Sequence, residues 1–327
     1  MGNIAMKRVT ESTSPEAVAS GSSTCHIHSL PVELLERIWR SLSVADRLRC
    51  QRVCQRWKQQ VSFADVVAFE HRAKSGRAPK LPGIVLAIAR SLGATVQDLC
   101  IAGVELWTDD LQNLQNCTQL RKLRLYDLRG NQCDFVSSLN PDLRSLALYS
   151  LDYANSNEFA SDQFAIKMNA SDFNHLIHLE ELTLMGLRNA EELANLQLDS
   201  LHRLSLDCLW IYICWLFGLP NLHTLHIQAA GLTGFESITE LIHLRSLWLN
   251  VRWSLHYDDI FPTLTSADYL QDVYIECQRI AGSEGRILHI PSSIFLSGTT
   301  YNIEMADGGE KCSISKSVSA QKVTEDD

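Results

Sequence analysis

Histidines and cysteines are the residues of this chain whose types and spacing could support metal binding or catalysis. Three pairs of histidines are close in the sequence: His26 and His28, His175 and His178, and His223 and His226. The first pair lies in a segment expected to be disordered, and neither of the other pairs is joined by Cys or a carboxylate at the spacing of zinc ligands. The third pair also falls on successive sides of a predicted strand, so its members diverge. The sequence therefore predicts no metal site and no cofactor.

The ten cysteines are scattered, and no two of them form a C-x-x-C element. Cys50 and Cys54 have helical spacing, which favours a packing role over a nucleophile. The chain also lacks a P-loop, a G-x-S-x-G motif and a dinucleotide-binding fingerprint. We therefore predict that the protein has no catalytic activity of its own. Scattered single thiols are typical of a reducing compartment, which here means the cytoplasm, the nucleus or both.

Charge and hydropathy argue against two classes of partner. Lys and Arg number 29 against 38 Asp and Glu, and the net charge of -9 offers no basic footprint for nucleic acid or an anionic membrane. The longest apolar run, residues 209–217, is far shorter than the ~20 residues that span a bilayer. The longer segment 209–222, which contains this run, is predicted to be the helical return of one structural unit. The N-terminal segment lacks the apolar core of a secretory signal.

Composition divides the chain into five parts. Residues 1–28 and 306–327 are polar, so we expect a disordered N-terminal tail and a flexible C-terminal tail. Residues 29–74 have a helical pattern and residues 75–95 form a helical linker. Residues 96–305 repeat a short motif. The predicted fold is therefore α/β, with a small all-helical module before a repeat solenoid.

The repeated motif is the frame L-x-x-L-x-L, which starts at Val96, Leu120, Leu143, Leu179, Leu201, Leu222, Leu244 and Leu270. Its second and third apolar positions lie two residues apart, so a short strand turns both to one side. One unit cannot bury that face alone, and neighbouring units therefore stack into a parallel sheet on a concave face, with helices or turns on the convex face. The long interval before Leu179 predicts an insertion at about 152–173. After Ile275 the frame degrades, which predicts a cap for the last strand.

The helical module begins with "LPVELLERIWRSL" at Leu30, and capping boxes at Ser43 and Ser62 predict further short helices. The apolar residues of the first helix are Val32, Leu34, Leu35, Ile38, Trp39 and Leu42. They spread over roughly 160° of the helix surface, against the ~100° that a core-facing helix needs. The pattern alone leaves open what covers the excess.

The same stretch resembles the F-box pattern in Leu30, Pro31, Glu33, Leu35, Ile38, Leu42, Asp46, Leu48, Val53, Cys54 and Trp57. An F-box followed by leucine-rich repeats resembles the F-box/leucine-rich-repeat substrate receptors of SCF-type cullin-RING ubiquitin ligases. The resemblance implies that the module binds a Skp-type adaptor, which links it to a cullin scaffold. It also implies that the repeats bind a protein destined for ubiquitination and proteasomal degradation.

By the same resemblance, we expect the adaptor to contact Leu30, Pro31, Leu34 and Ile38, with Glu33 at the rim. Trp39, Leu42, Val53 and Trp57 are expected to close the core of the module. A second hypothesis stays open, in which the chain is a non-degradative scaffold whose repeats bind protein partners. A plain repeat protein with a private helical cap is a third.

Substrate recognition is expected on the concave face, at the residues that flank the two buried positions of each frame. Aromatic anchors dominate protein interfaces, so the candidate residues are Arg124, Tyr126, Tyr149, His226, Trp248 and Tyr274. The flanking cations are only Lys122, Arg124 and Arg203. They form no arginine cluster, which disfavours recognition mainly through phosphate, but Arg124 with Lys122 could hold one anionic group.

Overall fold

The structure is a computed structural model that describes residues 27, 30–61, 66–70, 83–129, 133–150, 168–252, 255–267, 269–277, 280–281, 299–305 and 312–318. The predicted N-terminal tail up to residue 26 and most of the predicted insertion lie outside the described residues. No helix within these ranges is long and apolar enough to cross a membrane.

Three short helices open the described part of the chain: α1 (Val32–Ser41), α2 (Val44–Cys50) and α3 (Gln55–Val61). Ser43 begins α2 as the capping box predicts, because its hydroxyl accepts a hydrogen bond from the Asp46 backbone N–H at 3.2 Å. The same hydroxyl donates to the Asp46 carboxylate at 2.8 Å. Arg49 Nη1 also donates to the Asp46 carboxylate, at 2.8 Å. The hydrogen bonds from Ser43 and Arg49 lower the pKa of Asp46.

The next segment differs from the prediction. Residues 29–74 were expected to be helical throughout, but β1 (Val66–Glu70) is a strand that pairs in parallel with the first repeat strand. Val67 is fully buried in the core, whereas its neighbour Val66 is half exposed. This alternation is that of a strand with one buried face. The sheet therefore begins inside the segment assigned to the helical module.

All eight repeat frames form strands, as predicted. They are β2 (Asp98–Ala102), β4 (Lys122–Arg129), β5 (Ser145–Ser150), β6 (Glu181–Asn189), β7 (Arg203–Tyr212), β8 (Thr224–Thr233), β9 (Ser246–Val251) and β11 (Asp272–Cys277). With β1 they form a parallel sheet in the order β1-β2-β4-β5-β6-β7-β8-β9-β11. The short strand β3 (Leu106–Trp107) pairs with β4, and β10 (Leu255–His256) pairs with β12 (Ile280–Ala281).

The frame leucines build one continuous core. Each strand places its second frame residue against that of its neighbour, as in the pairs of Leu123 with Leu146 and Leu204 with Leu225. These four side chains are at most 1% exposed. Burying one such side chain contributes about 1.5–3 kcal/mol, and the stack of units repeats this contribution along the sheet. The solenoid is thus stabilised mainly by contacts between adjacent units.

The segments that return from one strand to the next are mostly single helical turns. Helix α4 (Ile84–Leu92) precedes the repeats, and single α-helical turns span Thr108–Leu111 and Ala170–Phe173. A longer helix of ten residues spans Tyr257–Ser266. Where the structure describes the other return segments, 3-10 helices span Gln112–Asn116, Asp134–Ser138, Ala190–Leu193, Ile213–Gly218 and Phe235–Glu240. Units of this length leave room for little more than one helical turn.

Two predicted boundaries need correction. Residues 209–212 extend strand β7, so the predicted helical return of this unit begins only at Ile213. The predicted insertion at about 152–173 also ends earlier, because Met168, Ala170 and Phe173 are buried in the common core. Apolar residues at the end of a polar segment belong to the next repeat unit.

The C-terminal end of the sheet is closed by a hairpin of opposite polarity. Strand β14 (Cys312–Val318) runs antiparallel to β11, and β13 (Thr299–Met305) pairs antiparallel with β14. The prediction that 299–305 contributes to a cap agrees with this arrangement. The prediction of a flexible tail over 306–327 is wrong for residues 312–318, because these residues form strand β14, which pairs with β11.

Candidate protein-interaction sites

Helix α1 has two apolar faces with different surroundings. Leu35 and Trp39 are 1% and 3% exposed and form the core of the module. Val32, Leu34 and Ile38 are 48%, 45% and 36% exposed, so their side chains face outward. The excess apolar arc seen in the sequence is therefore an outward apolar face, which we call the α1 face (Pro31, Val32, Leu34 and Ile38).

The predicted adaptor-contact residues fall mainly on this face. Pro31, Glu33, Leu34 and Ile38 are exposed, whereas Leu30 is half buried and packs against the Leu35–Trp39 core. Leu30 thus serves the module's own packing as well. Whether these residues contact an adaptor stays a prediction.

The core of the module contains most of the residues predicted for it. Leu42 and Trp57 pack against Leu35 and Trp39, and the Trp39 and Trp57 rings meet edge to face with centroids 4.8 Å apart. The prediction for Val53 is wrong, because its side chain is 59% exposed. Val53 lies in the turn between α2 and α3, where its backbone N–H donates to Cys50 O and its side chain points to solvent.

Comparison with known protein families identifies this part of the chain. The family model described as F-box-like matches residues 27–62. The chain carries an F-box-like domain. The three helices and the α1 face therefore belong to this domain, and leucine-rich-repeat units follow it. No curated protein sequence is significantly similar to the chain.

Several solved structures are similar to the chain at low identity. Internalin C2 (inlC2) of Listeria monocytogenes str. 4b F2365 has 16% identity and a TM-score of 0.44, and the match covers 69% of this chain and 89% of the internalin. Internalin inlF of the same strain has 16% identity and a TM-score of 0.45, with 72% and 68% covered. The plant peptide hormone receptor RGFR1 in complex with RGF2 has 17% identity and a TM-score of 0.33, with 66% and 44% covered. The fold assignment rests on the repeat frame and sheet of this chain itself.

The second candidate site is the sheet face opposite the core, where the flanking residues of adjacent units lie side by side. We call it the ladder face. Strand register places Asp98, Lys122, Ser145, Glu181, Arg203, Thr224, Ser246 and Asp272 in its first row, and Cys100, Arg124, Ala147, Thr183, Ser205, His226, Trp248 and Tyr274 in its second. The third row contains Tyr149, Met185, Asp207, Gln228, Asn250 and Glu276. Eight strands spaced ~4.8 Å apart give a face about 34 Å long.

Two of the three ladder cations are held by carboxylates of neighbouring strands. Arg124 Nη2 lies 3.2 Å from an Asp98 oxygen, and Arg203 Nη1 lies 2.7 Å from a Glu181 oxygen. The Ser145 hydroxyl also donates to Glu181 at 3.1 Å. Arg124 was a predicted substrate-binding residue, and the structure places it in an ion pair within the chain. Exposed pairs of this kind contribute only about 0–1 kcal/mol, so a partner could still exchange them.

The predicted aromatic residues form two separate clusters. Tyr126 and Tyr149 stack with ring centroids 4.2 Å apart and an interplanar angle of 10°. Burial raises the pKa of Tyr149 to about 12, so its phenol stays neutral. Five strand spacings away, Trp248 stacks on Tyr274 with centroids 5.8 Å apart and the same angle, and His226 lies 5.9 Å from Trp248. The structure therefore brings the six predicted residues together as two sites near opposite ends of the sheet.

The search for aromatic anchors in the sequence did not select the polar residues that accompany the second cluster, although they also flank the buried positions of their frames. The Glu276 carboxylate accepts hydrogen bonds from Asn250 Nδ2 at 3.2 Å and from the Tyr274 hydroxyl at 3.3 Å. Asn250 and Glu276 occupy the third flanking position of their frames, two residues after the aromatic residue of the same frame. That shared position is a signal in the sequence that could have identified them.

The remaining histidines and cysteines show no catalytic or metal-binding arrangement within the described residues. His223 precedes β8 and lies between His202 and His243, whereas His226 points to the ladder face. The described ranges contain no group of three or more ligand-type side chains placed to hold a metal. Burial raises the pKa of the Cys117, Cys133 and Cys208 thiols to about 11, 12 and 12. These cysteines therefore act as neutral core residues.

Proposed function

We propose that the chain is the substrate-recognition subunit of an SCF-type ubiquitin ligase. In this proposal the F-box-like domain docks on a Skp-type adaptor, and the leucine-rich repeats bind a target protein for ubiquitination. The observation that supports docking most directly is the α1 face, whose apolar side chains are exposed within an F-box-like domain. The ligase chemistry then belongs to the partners, and the chain acts without catalysis in the cytoplasm or the nucleus.

The energetics of the α1 face fit a docking role within a larger interface. Fully burying a Val, Leu or Ile side chain contributes about 1.5–3 kcal/mol. Val32, Leu34 and Ile38 are already about half covered, so covering the rest of all three adds roughly 2–4 kcal/mol. Association costs about 4–15 kcal/mol, so neighbouring contacts, including Pro31 and Glu33, must add their share. The α1 face is thus an anchor and not the whole interface.

Co-purification of the full chain from cells tests the docking step. Replacing Leu34 and Ile38 together by Asp places two charges where the adaptor would bury apolar groups. We expect recovery of the Skp-type adaptor and the cullin to fall by more than about tenfold. The matched control replaces Ile177 and Ile242 by Asp, because both are exposed isoleucines, at 62% and 60%, on the repeats. Equal recovery with both double variants, each with unchanged thermal unfolding, would contradict the proposal.

A non-degradative scaffold predicts a different result in cells. If the chain delivers targets to a ligase, removing it should lengthen the half-lives of those targets. Restoring the wild-type chain should shorten them again, and restoring the Leu34→Asp/Ile38→Asp variant should not. Quantitative proteomics of protein half-lives measures this directly. Unchanged half-lives, together with intact adaptor binding, would favour the scaffold.

A further inference from the structure

The two ends of the ladder face differ in charge. Its cations, Lys122, Arg124 and Arg203, all lie on β4 or β7, and two of them are held in the ion pairs with Asp98 and Glu181. On β8, β9 and β11 the ladder rows contain no lysine or arginine, but they contain Asp272 and Glu276. Two arginines flank β9 in the sequence: Arg245 directly precedes it and Arg252 directly follows it, so both lie outside these rows. Arg245 Nη1 donates to the carbonyl oxygens of Ile242 and Tyr269 at 3.2 and 3.3 Å. Among the described residues of the three ladder rows, the C-terminal end therefore contains carboxylates but no lysine or arginine.

The same end contains the Trp248–Tyr274 stack. We call the six residues His226, Trp248, Asn250, Asp272, Tyr274 and Glu276 the acidic aromatic patch. Trp248 and Tyr274 are half buried, and their nearly parallel rings extend over two adjacent strands. The hydrogen bonds from Asn250 and the Tyr274 hydroxyl hold the Glu276 carboxylate beside these rings. Burial lowers the pKa of His226, so this ring adds no positive charge to the patch at pH 7.

An aromatic surface flanked by fixed carboxylates is complementary to a cation. The faces of Trp and Tyr rings attract a guanidinium or ammonium group, and Trp is the strongest of the aromatic side chains in this respect. A guanidinium can also stack on the ring while it donates two hydrogen bonds to a carboxylate, which an ammonium cannot do in the same plane. A phosphorylated or acidic segment would instead meet the charges of Asp272 and Glu276.

We propose that the acidic aromatic patch binds an arginine-containing basic segment of the target protein. The guanidinium stacks on Trp248 and faces Glu276 and Asp272. This inference rests on the proposed function in one respect, since it assumes that the ladder face is the target-binding surface. It goes further by assigning the chemical class of the target segment and the end of the face at which that segment binds.

Fluorescence anisotropy with the full chain at 50 mM salt tests the patch. The probe is a fluorescein-labelled decapeptide of alternating arginine and glycine, and its counterpart has citrulline, the uncharged analogue, in place of arginine. We expect the arginine peptide to bind at least about tenfold more tightly and to lose affinity as salt is raised. Equal binding of the two peptides would overturn the proposal.

Two variants and two matched controls locate the binding. The double variant Asp272→Asn/Glu276→Gln should weaken binding of the arginine peptide about tenfold, and Trp248→Leu should weaken it about fivefold. The controls are Glu236→Gln/Glu240→Gln, which removes two exposed carboxylates in the return helix Phe235–Glu240, and Phe217→Leu, which removes an exposed ring on another return helix. Both controls should stay within about twofold of the wild type. Equal losses in patch and control variants would overturn the proposal, because binding would then follow net charge alone.

The result of the peptide-binding assay does not depend on adaptor docking. The peptide assay needs only the chain, so the Leu34→Asp/Ile38→Asp variant should bind the arginine peptide normally. Lost adaptor recovery tests the proposed function, and lost peptide selectivity tests the patch. Each can fail without the other.

Discussion

Asp127 is a residue whose backbone conformation has to be stabilised by its own side chain. Its φ is 60°, a left-handed value that L side chains rarely adopt. Gly103 and Gly186, with φ of 71° and 88°, occupy the corresponding place in their repeat units, two residues after the third frame position. The Asp127 carboxylate accepts a hydrogen bond from the Gly103 backbone N–H at 2.8 Å. This contact joins two units at the bulge of β4 and offsets the backbone strain.

Substitutions at Asp127 separate the strain from the hydrogen bond. Asp127→Ala keeps the left-handed strain and loses the bond, so we expect the free energy of unfolding to fall by about 1–3 kcal/mol. Asp127→Gly loses the bond but removes the strain, so its loss should be smaller. Urea unfolding followed by circular dichroism measures both. A glycine variant less stable than the alanine variant would contradict this account.

At the scale of secondary-structure elements, Arg47 links the F-box-like domain to the sheet. It lies in α2 and is only 5% exposed. Its Nε donates to Leu42 O at 3.2 Å, and its Nη1 donates to Val66 O in β1 at 3.0 Å. The side chain thus satisfies a carbonyl of the first strand of the sheet. This hydrogen bond connects the helical domain directly to the first strand of the sheet.

Replacing Arg47 tests this link. Arg47→Met keeps the aliphatic stem but removes both donors, so we expect a loss of about 1–3 kcal/mol in the free energy of unfolding. Amide hydrogen exchange should accelerate in β1 and α2 more than in the central strands β6–β8. The control is Arg49→Met, because Arg49 is exposed and pairs only locally with Asp46 at 2.8 Å. That variant should stay within about 0.5 kcal/mol of the wild type. Equal effects of the two substitutions would rule out a linking role for Arg47.

The same boundary shows which elements the sequence can predict. The eight repeat strands follow from the L-x-x-L-x-L frame, because that frame records burial within each unit. Strand β1 has no such frame, and the capping-box signal at Ser62 favoured a helix. Its strand conformation depends on pairing with β2, in which Val66 pairs with Asp98, thirty-two positions further along the chain. The local sequence pattern around Val66 does not indicate this pairing. Long-range pairing therefore decided the element that the sequence missed.

The binding residues divide in a similar way. The aromatic ladder positions could be predicted, because each lies at a flanking position of its own frame. Their stacking, and the pairing of Arg124 with Asp98, depend on residues of adjacent units. Once strand register is assumed, equal frame positions in neighbouring units are neighbours in space. The exposure of Val53 could not be found in this way, because it depends on the turn between two helices.

At the scale of the whole molecule, the stacked units leave two sheet edges that need cover. A parallel solenoid exposes unpaired N–H and C=O groups on its terminal strands, and such edges promote aggregation. At the N-terminal edge, α2 contacts β1 through Arg47. At the C-terminal edge, β14 pairs with β11 over five residue pairs and turns the sheet antiparallel. The reversed polarity ends the parallel stack.

Truncation before Cys312 tests whether β14 protects this edge. Removing residues 312–327 takes away β14 and leaves the backbone groups of β11 that pair with it unsatisfied, and β13 then loses its only described partner strand. We expect a lower midpoint of thermal unfolding and self-association that increases with protein concentration. The matched control ends at Val318, which removes nine residues but keeps β14 intact. Thermal unfolding and analytical ultracentrifugation measure both effects. If both truncated chains remained monomeric with the same unfolding midpoint, β14 would not act as the cap of the solenoid.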